Sequence, residues 1–160
     1  MKTVREQPTP EKKEDHYRSV FETTTDGLII NDLQTGRVLE ASPAACAMHG
    51  YARTKFIGLS SAAFIHSNSQ KVFSKSLQAF RSDSMFDMHV LQARKDGSTF
   101  YAAWRGTAFT FLGQPCLLSV VRDVSLRIQA EQHLHQRIED HTREQSAQLE
   151  ISHITELRKG

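Results

Sequence analysis

The side chains in this sequence that are best suited to catalysis or metal binding are its histidines and cysteines. Among 160 residues there are eight histidines, concentrated in the polar segment 126–159, and two cysteines, Cys46 and Cys116. Neither cysteine belongs to a C-x-x-C pair, and the sequence has no H-E-x-x-H, no phosphate-binding loop and no nucleophile, histidine and acid in a catalytic order. We therefore predict no catalytic residue, no metal site and no disulfide framework, and we expect this chain not to be an enzyme.

Composition favours a soluble domain with polar extensions. The formal net charge is +2, 39% of the residues are hydrophobic and the mean hydropathy is −0.45. This charge is too small, and Lys and Arg are too scattered, for a nucleic-acid surface. No apolar run approaches the roughly 20 residues that span a bilayer, and the N-terminus lacks a signal-peptide core. We expect a cytoplasmic chain that binds neither nucleic acid nor membrane.

The elements that must position any binding site are strands, and the turn at Asp96-Gly97 is their clearest signal. Alternating runs flank it at 86–93 and 99–111, and Gly supplies the positive φ that a tight hairpin requires. A second turn at 112–115 leads into a third run, 115–123. The pattern predicts a three-stranded antiparallel meander.

The chain before this meander predicts a hairpin followed by short helices. Ser42 as N-cap and Pro43 at the first helical position start a helix that ends at Gly50. The predicted elements are a disordered lead-in (1–15), an amphipathic helix (16–24), strands 28–32 and 37–41, helices 44–49 and 54–57, a short segment 60–66, and a helix 70–81. The core order is therefore β-β-α-α-α-β-β-β.

Residues 126–159 predict one long helix, because they contain no Pro or Gly and are dense in polar residues. The positions 138, 142, 145 and 149 have the spacing of a coiled coil, with Ile138 and Leu149 apolar but Thr142 and Gln145 polar. A long polar helix is not very stable alone, so pairing with a second copy is expected. A solvated helix is the alternative that the sequence leaves open.

Several short signatures, taken in order, resemble those of the PAS sensor domain family. They are Asp26-Gly27-Leu28-Ile29-Ile30, Ala41-Ser42-Pro43-Ala44-Ala45, Met48-His49-Gly50-Tyr51, Phe56-Ile57-Gly58, Arg94-Lys95-Asp96-Gly97-Ser98 and Val121-Arg122-Asp123-Val124-Ser125. The resemblance covers about residues 17–127, and Ser42 and Ser125 depart from the Asn and Thr of many members. It implies an α+β PAS fold over 16–125, a five-stranded antiparallel sheet covered by short helices, followed by a signalling helix over 126–160.

The last signature resembles the exit motif of the family. Asp123 ends the last predicted strand, and a carboxylate or hydroxyl at Asp123 or Ser125 can accept hydrogen bonds from the first free amides of the next helix. The resemblance thus implies that these two residues tie the sheet to the output helix.

Strand alternation and the resemblance together indicate a ligand pocket inside the domain. In 86–92 the even positions are Phe, Met, Val and Gln, whereas 87 and 89 are Asp and His, so the even set faces the helical cover. Resemblance to flavin- and haem-binding members places Val121 at the pocket, with Ser119 on the same face. The candidate lining is Ile57, Phe64, Phe73, Leu77, Met88, Val90, Gln92, Ala102, Trp104, Ser119 and Val121.

Two members of this set, Gln92 and Ser119, are polar, and their hydrogen-bond partners determine whether the pocket needs a ligand. A buried amide or hydroxyl without a partner costs about 1–3 kcal/mol. Either the two groups bond each other or the backbone, or a small, mostly apolar ligand completes them. Apolar walls with a few polar groups are typical of small-molecule sites.

The resemblance implies no cofactor. The flavin-binding amide positions of the family fall on Gln92, Ala102 and Val121, so two of the three are lost, and 58–62 lacks the photoadduct cysteine. Haem-binding members carry a histidine on the long helix, which 70–81 lacks. His66, just before that helix, is interpreted as a capping or surface residue. We expect neither haem nor flavin.

The opposite face of the sheet is also apolar and needs a cover. Its residues are Leu91, Tyr101, Ala103, Leu118 and Val120. The first helix is the candidate cover, from its own subunit or from a partner's. We predict a homodimer that is held by Tyr17, Val20, Phe21, Ile138 and Leu149.

The resemblance implies a sensory module of a multidomain signal-transduction protein, which senses a small ligand or relays a signal through a dimeric C-terminal helix. Residues 134–149 resemble the linker helix of sensor histidine kinases, and 149–153 the approach to a GAF domain, so downstream GAF or kinase domains are expected. His153 does not match a phosphoacceptor pattern. The alternatives are a purely structural dimerisation or relay domain, or the PAS domain of a diguanylate cyclase or a transcription regulator.

The thin apolar stripe of the tail predicts that one charge on it weakens the dimer. Ile138→Lys buries like charges across the seam of the paired helices, so we expect dissociation at concentrations where the unaltered chain is dimeric. Removal of residues 126–160 should act in the same direction. Light scattering measures both, and an unchanged dimer would contradict a role for the tail.

Overall fold

An antiparallel sheet of five strands forms the centre of the fold. The computed structural model of the protein describes residues 9–80 and 85–159, with only the backbone of residues 10 and 76–80. The strands are β1 (Gly27–Asp32), β2 (Val38–Ala41), β3 (Met85–Ala93), β4 (Thr99–Phe111) and β5 (Gln114–Asp123). Their order is β2-β1-β5-β4-β3, and every neighbouring pair is antiparallel. The last strand in sequence therefore lies in the middle of the sheet.

Short helices follow β2, and a long one follows β5. The helices are α1 (Pro10–Thr23), α2 (Pro43–His49), α3 (Arg53–Phe56), α4 (Gln70–Phe80) and α5 (Ser125–Leu157), with two 3-10 turns at Ser61–Phe64 and Ser67–Ser69. The chain divides into two compact units, one ending at Asp123 and one beginning at Val124. The predicted α+β architecture, with its five-stranded antiparallel sheet and long C-terminal helix, is confirmed.

The two hairpin turns follow the glycines. Gly97 has a φ of 85° in the β3–β4 turn, as the Asp-Gly signal predicts. In the β4–β5 turn Phe111 pairs with Gln114, so only Leu112 and Gly113 form the loop, with φ of 49° and 79°. Two positive φ values define a type I′ turn, whose twist matches that of the strands. For this reason β5 begins at Gln114, one position before the predicted start.

The first helix begins earlier than predicted, at Pro10 rather than at residue 16. Thr9 is extended, Pro10 occupies the first helical position and Glu11 lies in the first turn. Pro has no amide hydrogen to lose there, and an acidic residue near a helix N-terminus is favourable. The predicted disordered lead-in is therefore wrong for residues 10–15, and residues 1–8 lie outside the described part of the chain.

Ser42 joins β1 to α2. Its hydroxyl oxygen accepts a hydrogen bond from the Ala45 amide at 3.2 Å, as an N-cap does, and another from the Leu28 amide at 2.9 Å. Gly50 ends α2 in the left-handed conformation. Both predicted boundaries of this helix are confirmed.

The two faces of the sheet carry separate cores. The inner face, which bears Ile29, Val90 and Trp104, packs with α2, α3 and α4 into the larger cluster. On the outer face Phe21 of α1 packs with Ile30 and Cys116. The sequence predicted that α1 covers the outer face, and the structure shows this cover within one chain.

Burial of Phe21 changes the predicted dimer surface. Phe21 is only 7% exposed, because its ring fills the outer core of its own chain, whereas Val20 is 65% exposed. Phe21 is therefore a core residue rather than a surface for a partner. Tyr17 remains exposed and stacks on Phe21, with ring centroids 5.7 Å apart.

Helix α5 buries none of its residues. Ile138 is 56% exposed and Leu149 is exposed as well, so the predicted seam is available to a partner, and the homodimer stays a prediction. Among the helices that the structure describes, none combines the length and the apolarity that crossing a bilayer requires.

Gly106 is a packing constraint on the inner face, and it generates a stability prediction. A Cβ at this position would overlap the Phe86 ring and lie 2.9 Å from Leu117 Cδ1. We expect Gly106→Ala to lower the free energy of unfolding by about 1–3 kcal/mol, because the core must shift to admit the methyl group. Urea unfolding measures this loss.

The control is Thr107→Ala, the next residue on β4, whose side chain is exposed. Its cost should stay within about 1 kcal/mol, the range of strand propensity. Equal costs for the two variants would contradict the steric argument.

Candidate functional site

Most of the predicted pocket lining lies buried on the inner side of the sheet. The buried members are Phe64, Phe73, Met88, Val90, Gln92, Ala102, Trp104, Ser119 and Val121. Ile57 is 36% exposed and does not belong to the inner core, because α3 ends there and turns Phe56 inward instead. The side chain of Leu77 lies outside the part of the chain that the structure describes.

Gln92 and Ser119 cannot bond each other, which removes one alternative left open by the sequence. Gln92 lies opposite Phe100 on β4, whereas Ser119 lies opposite Gly106. Six residues along a strand span about 20 Å. The two polar groups therefore need separate partners.

The partner of Gln92 is His49, a residue that the sequence interpretation did not place in the interior. His49 Nε2 lies 2.6 Å from Gln92 Oε1, and His49 Nδ1 lies 2.8 Å from the Ala45 carbonyl oxygen. The ring sits among Phe56, Phe64 and Phe100, with centroid distances of 5.0, 5.0 and 5.3 Å. The signal for this placement was the four-residue spacing from Ala45, which puts both on the buried face of α2.

Burial sets the protonation of this histidine. Desolvation lowers the pKa of His49 below its usual value, and the nearby Arg94 charge acts in the same direction. A carbonyl oxygen only accepts, so Nδ1 carries a proton and the neutral ring has its lone pair on Nε2. The amide of Gln92 complements the neutral ring with its NH₂ group and a protonated ring with its oxygen. Only one end of the amide can face the ring, and Gln92 Nε2 has no partner among the described residues.

Arg94 links the C-terminus of α2, next to His49, to the end of β5. Its Nε donates to the Met48 carbonyl at 3.0 Å, and its Nη2 donates to Asp123 Oδ2 at 3.1 Å. The guanidinium also lies 4.6 Å from the centroid of the Phe100 ring, a cation–π distance. Asp123 is therefore held to the β3–β4 turn and through it to the C-terminus of α2. The predicted capping role of Asp123 and Ser125 stays a prediction.

A cavity of about 270 Å³ opens beside this core, at the end of the sheet where β1 turns into β2. Its lining residues are Asn31, Asp32, Leu33, Gly36, Ser60, Ser61, Ala62, Phe73, Trp104 and Leu117. Phe73 and Trp104 were predicted and lie parallel, with centroids 5.2 Å apart. Asn31 was missed, although it alternates with the inward-facing Ile29 on β1. The cavity therefore lies nearer to the C-terminal end of β1 than the pocket that the sequence predicted.

A larger groove of about 440 Å³ lies between α1 and the β2–α2 segment, but its chemistry differs. Several of its lining side chains are charged, and Arg53 donates bidentate hydrogen bonds to Glu40 at 2.5 and 2.6 Å. Solvent screens such exposed charges, and these two already satisfy each other. We therefore take the smaller cavity as the candidate site.

The cysteines and His66, which the sequence analysis singled out, have structural surroundings in the described part of the chain. Burial raises the pKa of the Cys46 and Cys116 thiols, which disfavours the reactive thiolate. His66 Nδ1 accepts a hydrogen bond from the Asn68 amide at 3.2 Å and caps a 3-10 turn, as interpreted from the sequence. Within residues 9–80 and 85–159, no three His, Cys, Asp or Glu side chains cluster as metal ligands would.

The lowered pKa of His49 predicts a dependence of stability on pH. The unfolded chain binds a proton at this residue near its usual pKa of about 6.5, whereas the folded chain does so only at lower pH. The unfolded state therefore holds more protons in this interval, and stability falls as pH drops below about 6.5. His49→Gln should remove this part of the slope of unfolding free energy against pH.

The exposed His89→Gln is the matched control and should leave the slope in place. Chemical unfolding at pH values between about 5 and 7.5 measures both variants. Equal slopes for His49→Gln and the unaltered chain would contradict the assignment.

Comparison with known proteins agrees with this architecture. A family model described as PAS fold matches residues 15–124. The PAS domain of an HTR-like protein from Haloarcula marismortui is 25% identical, with a TM-score of 0.62 over 71% of this chain and 93% of that chain. No curated protein matches the chain.

Two further solved structures show the same fold at lower identity. A domain of the sensory box sensor histidine kinase/response regulator from Geobacter sulfurreducens is 22% identical, with a TM-score of 0.60 over 72% of this chain and 97% of that chain. The PAS domain of a LuxR-family transcriptional regulator from Burkholderia thailandensis, in complex with ethanol, is 16% identical, with a TM-score of 0.59 over 68% and 97%. Since the family model spans more than half of the sequence, this chain belongs to the PAS family.

Proposed function

We propose that this chain is the sensory module of a larger signal-transduction protein, in which it binds a small molecule and passes its state on through α5. In this proposal the module is cytoplasmic, homodimeric and not itself an enzyme, it carries neither haem nor flavin, and GAF or kinase domains of the same chain follow it. Membership of the PAS family supports the sensory part. Similar folds in a sensor histidine kinase/response regulator and in a transcriptional regulator are consistent with either output.

The observation that carries the proposal is the cavity beside Trp104. It combines an aromatic wall with the polar side chains of Asn31 and Ser61. Small-molecule sites typically have such a lining, mostly apolar with a few polar groups. Asn31 Oδ1 and Trp104 Nε1 have no hydrogen-bond partner among the described residues. Native proteins leave few buried polar atoms unpaired, so a ligand would complete them.

Arg94 supports the relay part of the proposal. It is bonded to the end of α2, to the Thr99 carbonyl at 3.1 Å and to Asp123, the last residue of β5. A ligand that moves α2 or the inner face relative to the sheet would change these bonds at the point where the strand ends. The covalent continuation from β5 into α5 then carries the change onward.

A ligand-free relay is the second candidate, and one observation favours it. The middle of the inner space, where the sequence placed the pocket, is filled by the rings of His49, Phe56 and Phe64. A domain of this kind would dimerise and transmit strain without sensing a molecule. The PAS domain of a diguanylate cyclase is a further possible setting for the same module.

A matched pair of cavity variants tests sensing. Ala62 lines the cavity, whereas its neighbour Ala63 does not, and both are exposed on the same 3-10 turn. A panel of small amino acids, amides, amines, alcohols and aromatic acids is screened by melting temperature and by the fluorescence of Trp104. A compound at a hundredfold excess over its Kd stabilises the fold by about 2.7 kcal/mol.

We expect Ala62→Phe to abolish the shift in melting temperature and Ala63→Phe to retain it, because only the first fills the cavity. If no compound shifts the unaltered chain, the ligand-free relay takes the place of the sensor. Equal shifts in the two variants would place binding elsewhere.

A further inference from the structure

Unpartnered polar atoms cluster on one part of the inner face. They are Asn31 Oδ1, Trp104 Nε1 and Ser119 Oγ, all buried and without a partner among the described residues, while a fourth such atom, Gln92 Nε2, lies apart from them beside His49. Asn31 lies opposite Leu117 on β5, Trp104 lies opposite Val121, and Ser119 lies between these two positions. Asn31 and Trp104 also line the cavity of about 270 Å³.

The hydrogen bonds around Asn31 determine which end of its amide is unpaired. Ser61 Oγ donates to the Gly36 carbonyl oxygen at 3.1 Å, since a carbonyl can only accept. The same hydroxyl must then accept, and Asn31 Nδ2 donates to it at 3.0 Å. The unpaired end of Asn31 is therefore its oxygen, an acceptor that requires a donor.

The indole of Trp104 makes the opposite demand. Its Nε1–H can only donate, so it requires an acceptor. Because Leu117 and Val121 are four residues apart on β5, the backbones of Asn31 and Trp104 are separated by about 13 Å along the strand direction. Polar groups that start so far apart along the sheet favour a ligand that carries its donor and its acceptor at opposite ends.

The charges around the cavity favour an uncharged ligand. Among the described lining residues Asp32 is the only ionisable one, and its Oδ1 already accepts from the Gln34 and Thr35 amides at 2.7 and 3.2 Å. No Lys or Arg lines the described cavity, so nothing compensates the desolvation of an anion. A cation would have a single carboxylate, that of Asp32, one oxygen of which already accepts two hydrogen bonds.

The remaining walls favour a flat, apolar body. The parallel Phe73 and Trp104 rings, with an interplanar angle of 12°, form one wall, and Leu33 and Leu117 form another. The volume of about 270 Å³ corresponds to roughly nine waters in the liquid, which admits a single substituted ring.

From these constraints, and on the basis of the proposed sensory function, we infer that the cavity binds an uncharged, flat molecule with a hydrogen-bond donor at one end and an acceptor at the other. The donor meets Asn31 Oδ1, and the acceptor meets Trp104 Nε1–H. The single rings of para-substituted aromatic amines and ketones represent this chemistry.

Four probes of nearly equal shape test the inference on the full chain. They are para-aminoacetophenone with both groups, para-methylacetophenone without the donor, para-ethylaniline without the acceptor, and the anion para-aminobenzoate. Trp104 is the only tryptophan in the sequence, so its indole N–H gives a single resolved NMR signal. We expect para-aminoacetophenone to bind and to move this signal downfield, and each of the others to bind about tenfold or more weakly.

Two variants assign the ends of the ligand. Asn31→Leu should reduce the preference for para-aminoacetophenone over para-methylacetophenone, because it removes the acceptor for the ligand's donor. Trp104→Phe, which keeps a ring, should reduce the preference for para-aminoacetophenone over para-ethylaniline. Saturation-transfer NMR reads binding to Trp104→Phe, and circular dichroism verifies that each variant is folded. Asn68→Leu, at an exposed turn away from the cavity, is the control and should leave all affinities unchanged.

The outcomes separate this inference from the proposed function. Equal or tighter binding of para-aminobenzoate, or binding of para-aminoacetophenone without a shift of the Trp104 signal, overturns the inferred ligand class. If none of the four binds while other compounds of the metabolite panel do, the class is again wrong but the sensor stands. If nothing binds at all, water alone fills the cavity and both proposals fail.

Discussion

The backbone pairing of β5 is the constraint on which the rest of the first unit depends. β5 bonds β1 on one side and β4 on the other, so the last strand in sequence closes the middle of the sheet. Gly27 and Val121 become neighbours, and Arg122 reaches back to Asp26 with hydrogen bonds of 2.9 and 2.6 Å. Such non-local pairing forms only after long loops close. The start and the end of the domain are thereby held together, and Asp123 leaves the sheet from its centre.

The inner face that this pairing creates has two chemically different ends. At one end the buried amide of Gln92 meets His49 through one of its two polar atoms, within a core filled by aromatic rings. At the other end Asn31 and Trp104 each keep an unpartnered atom within the described structure, at about 1–3 kcal/mol each. Native domains are stable by only about 5–15 kcal/mol, so this cost is a substantial fraction. Asn31 and Trp104 line the cavity and Gln92 does not, which is the physical basis for placing binding at the Asn31 end.

The outer face shows how a partly apolar sheet surface is accommodated in one chain. Toward β1 and β2, Phe21 of α1 covers it with an apolar contact. Toward β3 and β4 the face carries an exposed ion pair, in which Arg105 donates to Asp87 at 2.6 Å. A partner's cover over this part of the face stays a prediction. Charged side chains with long aliphatic stems shield part of it while their ends stay in water.

What the sequence by itself determined was local. Alternation along 86–92 placed Met88, Val90 and Gln92 inside, Asp96-Gly97 produced the hairpin, and Ser42-Pro43 started α2, because backbone geometry and capping act over a few residues. The tertiary structure alone decided the partners. Strand register separated Gln92 from Ser119, packing brought His49 to Gln92, and Asn31 met Ser61 across the fold. Periodicity determines which face a side chain takes, but its partner depends on the register and packing of elements that are distant in sequence.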